Sequence, residues 1–192
     1  MQATERSARA KEAEAGILSL IEQGQLATRL LRAEFGGMLR TDVVSRAESA
    51  LALLPSGHDV RRLARTAWGN VRRLSGDAVV QAREFAIHAG GHRVMRARSW
   101  VLLDQVDPAE RMQLRETNSA LGETLASNGI RRVLISSETP GESRAGFGVR
   151  SAPDDAFLVV SVALQRDDRV LALVEECYLW PLLEVGRLGV KV

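Results

Sequence analysis

The sequence is poor in the residues that anchor the commonest chemistries. It holds a single cysteine, Cys177, so it forms no internal disulfide and no cysteine-rich metal cage, and a lone thiol fits a reducing cytosol. Aromatic residues make up 4%, and the three histidines, His58, His88 and His92, do not pair at helical spacing, so each reads as a loop or strand residue and not as a metal ligand. There is no glycine-rich phosphate loop, no dinucleotide fingerprint and no Gly-x-Ser-x-Gly elbow, which removes the usual nucleotide-binding and serine-hydrolase classes. Charge of one sign is also lacking. The 26 Lys+Arg against 24 Asp+Glu leave a net charge of +2, so the sequence does not call for a nucleic-acid partner. No apolar run approaches the length of a membrane span, and the opening "MQATERSARAKEAEAG" lacks the apolar core of a signal peptide, which reads as a cytoplasmic protein with no membrane partner.

What is present suits one globular domain: 192 residues, 45% of them hydrophobic, enough for a real core. Residues 1–15 carry alanine and alternating charge without a large apolar side chain, a composition open to a helix, a frayed end or disorder, and are expected to nucleate no core. From Ile17 to Phe35 apolar residues recur at helical spacing, ended by Gly36-Gly37, which predicts an amphipathic first helix. "MLRTDVVSRAESALALLPSG" reads as a second helix, capped near Thr41 or Asp42 and stopped at Pro55-Ser56-Gly57. Between His58 and Val80 the arginines Arg61, Arg62, Arg65, Arg72 and Arg73 line either a strand pair or one helix face.

The middle and the tail carry strand signals. "AVVQAREFAIHAGGHRVMRARSWVLL" has two apolar-rich runs reversing at Ala89-Gly90-Gly91-His92, a hairpin signature. Asp107-Pro108 opens a short helix through Leu114, and Ser119 opens another through Ser127, ended by Asn128-Gly129. "RRVLISSET", a polar loop over 139–155 and a second hairpin turning at Asp167-Asp168 complete the chain. Helices first, then hairpins, with no strand–helix alternation, argue for an α+β fold on an antiparallel sheet.

Four segments taken together go further: Arg83 in the first strand of the central hairpin, "TNSALG" at a helix start, "LVEECY" with Glu176 in the last strand, and "MLRTDVVSR". Together they resemble the chorismate pyruvate-lyase (4-hydroxybenzoate synthase) family, whose fold is shared by the effector-binding (UTRA-type) domains of winged-helix repressors. The resemblance runs from about Phe35 to Leu183, with Arg83, Arg98 and Leu121 in register. It implies a chorismate-lyase-like antiparallel sheet flanked by helices over residues 34–192, preceded by an N-terminal helical extension, residues 1–33. Four departures accompany it: "VVSVAL" at Val159–Leu164 where the family carries arginines, Ala120 in place of a proline, the arginine-rich stretch from Arg61 to Leu74, and the extension before Phe35, which has no counterpart in the family.

The resemblance also implies roles. Arg83 falls on the arginine that binds the ring carboxylate, a task suited to a planar fork making two charge-assisted bonds; read from its neighbours alone, it is a surface or strand-edge arginine pairing with Glu84 or a neighbour. Leu121, with Gly122 beside it, falls on the backbone contact at a helix start, where free N–H groups and the macrodipole favour an anion. Thr117, Asn118 or Ser119 capping an ordinary helix is the other reading. Val44 falls on a backbone contact at the head of the second helix. Glu176 falls on the catalytic carboxylate; alternation along a strand puts it on the face of Tyr178, with Glu175 on the other.

The implied activity is a cofactor-free carbon–oxygen lyase. Chorismate loses pyruvate and its ring aromatises to 4-hydroxybenzoate or a related hydroxybenzoate, with Glu176 assisting the leaving oxygen and Arg83 anchoring the substrate. Small-molecule partners are then chorismate and an aromatic carboxylate product, on a monomer or homodimer. The alternative is a non-catalytic, effector-sensing domain of the same fold that binds a small aromatic acid. A third class, an interaction protein without a small-molecule site, also stays open.

Overall fold

A computed structural model describes residues 2–25, 27–54, 57–68, 75–117, 121–125, 129–140, 155–167 and 169–185. Six strands form one antiparallel sheet: β1 (Leu39–Ala50), β2 (Val79–Ala89), β3 (His92–Leu102), β4 (Arg131–Glu138), β5 (Ala156–Arg166) and β6 (Arg169–Leu179), in the order β1-β2-β3-β6-β5-β4. Helices α1 (Gln2–Glu22), α2 (Ala27–Phe35), α4 (Pro108–Glu116), α5 (Leu121–Leu125) and α6 (Pro181–Val185) contribute to the core on one face, and α3 (Gly57–Trp68) packs on the other. The α+β class with an antiparallel sheet is the one the sequence pattern indicates.

Both hairpins form where the turn residues place them. Gly90 and Gly91 adopt φ of 56° and 87°, the left-handed pair that a two-residue turn between right-twisted strands demands. At the second turn Asp167 has φ 46°, a conformation that aspartate tolerates better than most residues. Asp168 lies outside the described residues.

Three expectations are corrected. The first helix is two, because Gly24 (φ 75°) ends α1: its N–H bonds to Ile21 O at 2.8 Å and that of Gln25 to Leu20 O at 2.9 Å, a glycine cap that turns the chain before α2 begins. Residues 2–15 belong to α1 and do reach the core through Ala13, which continues the stripe of Ile17 and Ile21 by one turn. Each of those isoleucines, fully buried, contributes about 1.5–3 kcal/mol. Arg6 adds a cation–π contact over Trp180, 4.3 Å from the ring centroid, next to α6.

The expected second helix is instead β1. Its apolar residues Leu39, Val43 and Ala47 recur every fourth position, which mimics a helix. Pairing with β2 outweighs that local signal, and Thr41, Val43 and Val44 are β-branched. A bulge between Val43 and Ser45 shifts the register and disturbs strict alternation. The poorly read segment after it contains α3, whose Val60, Leu63 and Ala64 face the sheet at helical spacing, with Arg61 and Arg65 on the outside. Arg72 and Arg73 lie outside the described residues.

The core has two main parts, divided by the sheet, and a small third cluster of Ala156, Val159, Cys177 and Leu179 on β5 and β6. The larger joins Ile17 and Ile21 of α1, Leu31 of α2 and Leu114 of α4 to Phe85, Ile87, Met95 and Tyr178 of the strands. The smaller sets Val60, Leu63 and Ala64 against Val80, Trp100, Leu102 and Leu173. Trp100 and Leu102 of β3 enter the smaller part while Val101 between them enters the larger, so along the regular stretches a polar residue's face follows from its register.

Candidate functional site

The face under α1 and α2 carries an uncommon number of buried polar groups. On β2, Gln81 and Arg83 share that face with Phe85 and Ile87; Arg83 stands opposite Ser99 of β3, and Ala97 opposite Glu176 of β6. Arg83, Ser99 and Glu176 are 1%, 1% and 5% exposed, far below what such residues show unless something organises them. A cavity of about 480 Å³, including its open mouth, lies over this area. Its floor includes Phe85, Met95, Ser99 and Glu176, and Leu121 and the start of α2 at Ala27 and Thr28 stand against it.

Glu176 is held from two sides. Its Oε2 accepts a hydrogen bond from Tyr178 Oη at 2.7 Å and a short charge-assisted one from Arg132 Nη2, while Oε1 accepts none among the described residues. Arg132, in edge strand β4, also donates from Nη1 to Gln25 O at 2.8 Å, tying the α1–α2 joint to the site. Burial works against the Arg132 charge, but Glu176 and Tyr178 outweigh it and raise its pKa above the ordinary arginine value. Burial, then the Glu176 charge, push the Tyr178 phenol upward, so it stays a protonated donor.

Arg83 borders the cavity on the other side. Its guanidinium lies 4.9 Å from the Phe85 ring centroid, and Nη2 donates to Thr117 O at 3.4 Å. Arg46 comes to the same place from β1, donating to Leu114 O at 3.0 Å and Thr117 O at 3.2 Å, at the C-terminal end of α4 where carbonyls favour cations. Burial, reinforced by the Arg46 charge, brings the pKa of Arg83 down to about 10. Two cations thus meet beside an apolar cavity, and their mutual repulsion adds to the effect of burial on Arg83.

The residues singled out from sequence fall as follows. Glu176 and Leu121 both line the cavity, and Arg83 adjoins it across Phe85 and Ser99. Glu175 lies on the opposite face, as alternation requires. Arg83 does not pair with Glu84; that carboxylate reaches Arg98 at 3.2 Å on the other face. Gly122 is the second residue of α5. The described part of α5 is only Leu121–Leu125, five residues whose macrodipole is small, with Asn118, Ser119 and Ala120 outside the described residues.

Val44 is a correction. It heads no helix but sits at the β1 bulge, 63% exposed, beside Glu84, Arg96, Arg98, Glu175 and Cys177 on the face away from the cavity. The bulge inserts one residue, which takes its side chain out of the face shared by Val43 and Thr41.

Sequence reasoning missed Arg132, the cation that meets Glu176, and Ser99. Alternation from Leu134 selects Arg132 over Arg131 once the strand is known, but nothing in "RRVL" names its partner 44 residues later. Among the described residues no three His, Cys, Asp or Glu side chains gather as a metal site, and no helix is long and apolar enough to cross a membrane.

Comparisons with known proteins find likeness in solved structures alone. No protein-family model matches the sequence, and no curated protein matches it significantly. The chain is similar to a GntR-family transcriptional regulator from Bacillus cereus at 10% identity over 74% of this chain and 92% of that one, with a TM-score of 0.46. It is similar to a GntR-family regulator from Enterococcus faecalis V583 at 13% identity, over 73% and 93%, with a TM-score of 0.44. The effector domain of PhnF from Mycobacterium smegmatis matches at 14% identity, over 73% and 82%, with a TM-score of 0.43. Likeness of this degree assigns neither family nor activity.

Proposed function

We propose that the chain binds a small hydroxylated aromatic carboxylate in this cavity, as an effector-type domain without turnover. The observation that carries this reading is the pairing of opposite polar ends across one apolar floor: Arg83, with Arg46 behind it, at one end, and Glu176 Oε1 at the other. Arg83 on β2 and Glu176 on β6 flank β3 from opposite sides at positions two residues apart along it, so their Cα atoms lie about 12 Å apart and the two side chains reaching inward shorten the gap between them. That gap suits a benzene ring with a carboxylate at one end and a hydroxyl at the other. Arg83 takes the carboxylate, Phe85 and Leu121 cover the ring, and Glu176 Oε1 accepts a hydrogen bond from the hydroxyl.

The state of Glu176 favours binding over chemistry. Arg132 and Tyr178 both donate to it, which leaves the carboxylate an acceptor, the role that orients a hydroxyl. Helping an enolpyruvyl ether to leave requires a donor at the ether oxygen, and Tyr178 is already engaged with Glu176.

A second reading is a chorismate lyase, favoured by one observation: of the positions that the family resemblance marks, Glu176 and Leu121 line one cavity, and Arg83 adjoins it across Phe85 and Ser99. In that reading Arg83 anchors the dianion, the cavity selects the reactive conformer, and Glu176 acts at the leaving oxygen, with aromatisation supplying the driving force.

One experiment separates the two. Purified protein is titrated with 4-hydroxybenzoate by calorimetry and then incubated with chorismate while pyruvate and 4-hydroxybenzoate are followed by chromatography. Saturable binding with no pyruvate above the spontaneous rate is the expected result. Equimolar pyruvate and 4-hydroxybenzoate above that rate would replace the binding reading with the lyase, and absence of both binding and turnover would remove both.

A further inference from the structure

We propose that Ser99 is the second donor of the carboxylate subsite, a hydroxyl kept unpartnered in the empty protein so that it can bond the ligand anion held by Arg83. The inference rests on the binding reading above. Ser99 is 1% exposed and lines the cavity, and its Oγ has no hydrogen-bond partner among the described residues. A buried hydroxyl in that state destabilises the fold, and a strand position of this kind is ordinarily filled by alanine or valine. Its neighbours confirm the contrast: directly beside it on the same face stand Ala97 and Val101 along β3, Val174 across to β6, and Arg83 across to β2.

Arg83 is the one polar group among those four, so a ligand atom that meets the hydroxyl lies next to the guanidinium. Cross-strand partners hold their Cβ atoms about 5 Å apart, close enough for one carboxylate to accept from both side chains. Arginine carries donors only and cannot accept a bond from the serine. An anion accepts from the hydroxyl while lying beside the guanidinium, whereas a neutral apolar ligand leaves the hydroxyl as costly as before. The chemical class that Ser99 selects is therefore a carboxylate.

The test uses the wild-type chain and Ser99→Ala, with 4-hydroxybenzoate as the probe. Two opposite changes are expected from one substitution. Removing an unpartnered hydroxyl raises the melting temperature of the unliganded protein by about 2–4 °C. Losing a bond to a charged group weakens 4-hydroxybenzoate by about tenfold or more. If the wild type binds the probe and Ser99→Ala binds it equally well, the inference on Ser99 falls while the binding reading stands. A lower melting temperature for unliganded Ser99→Ala would also overturn it, because the hydroxyl would then be satisfied without ligand. If the wild type does not bind the probe, the binding reading fails and takes this inference with it.

Discussion

The two faces of the sheet treat charge in opposite ways, although the same strands supply both. Arg83 and Glu84 are neighbours in β2, yet Arg83 is 1% exposed under α4 and α5 while the Glu84 side chain is 39% exposed. In β6, Glu176 is bonded to Arg132 and Tyr178 inside the fold, and Glu175 sits on the other face in a groove with Arg96 and Arg98. On the outer face ions stay near water and cost little. On the inner face each charge loses hydration, and attraction between partners repays that only in part. Buried charge concentrated around one cavity, in a fold that has an exposed alternative one residue away, is the pattern expected of a site and not of a scaffold.

The contrast is broken most directly at Arg132. Its guanidinium is almost fully buried, so Arg132→Ala leaves the Glu176 carboxylate without its cation and also frees Gln25 O. The expected loss is about 3–5 kcal/mol in chemical denaturation. Adding Glu176→Gln in the same chain removes the stranded charge and recovers part of that loss. A single-variant loss below about 1 kcal/mol would place this pair with the surface pairs and erase the difference between the faces.

How much of this was legible in the sequence depends on where a residue's constraint comes from. The hairpins were legible because Gly90-Gly91 and Asp167 announce turns and the flanking runs are apolar on both sides. Glu176 separated from Glu175 by counting from Tyr178, since alternation is local. β1 was not legible: it is an edge strand with a bulge, its apolar spacing of four fits a helix, and what decides it is pairing with residues 79–89. Arg132 and Ser99 were hidden for the same reason. Their importance lies in partners, or in a lack of partners, that only the folded register reveals.

At the rim of the inner face a smaller effect is expected. Glu48 accepts hydrogen bonds from Arg115, two of them at 3.0 and 2.8 Å, and from Gln81 at 2.8 Å. The Arg115 bonds, more than its other contacts, hold the Glu48 carboxyl below its ordinary value of 4.5, burial opposing them. A carboxyl whose pKa is depressed by folding stabilises the protein above its unfolded pKa, and that share is lost as pH falls through the lower folded value. Arg115→Ala should therefore leave the stability at pH 7 slightly lower and make the decline below about pH 4.5 shallower than in the wild type. Parallel acid limbs for the two proteins would mean that the rim pair acts no differently from the outer face.

The smallest effect belongs to the outer face itself. Glu84 and Arg98 meet at 3.2 Å with side chains 39% and 44% exposed, so water and salt screen their attraction and both ions remain solvated when parted. Arg98→Ala is expected to cost about 0–1 kcal/mol, and raising the salt concentration should shrink the difference from wild type. Affinity for 4-hydroxybenzoate should not change, because Arg98 points away from the cavity that Arg83 adjoins. A variant that kept its stability but lost the probe would put the ligand in the outer groove with Val44 and Glu175, and Arg98 would inherit the anchoring task assigned to Arg83.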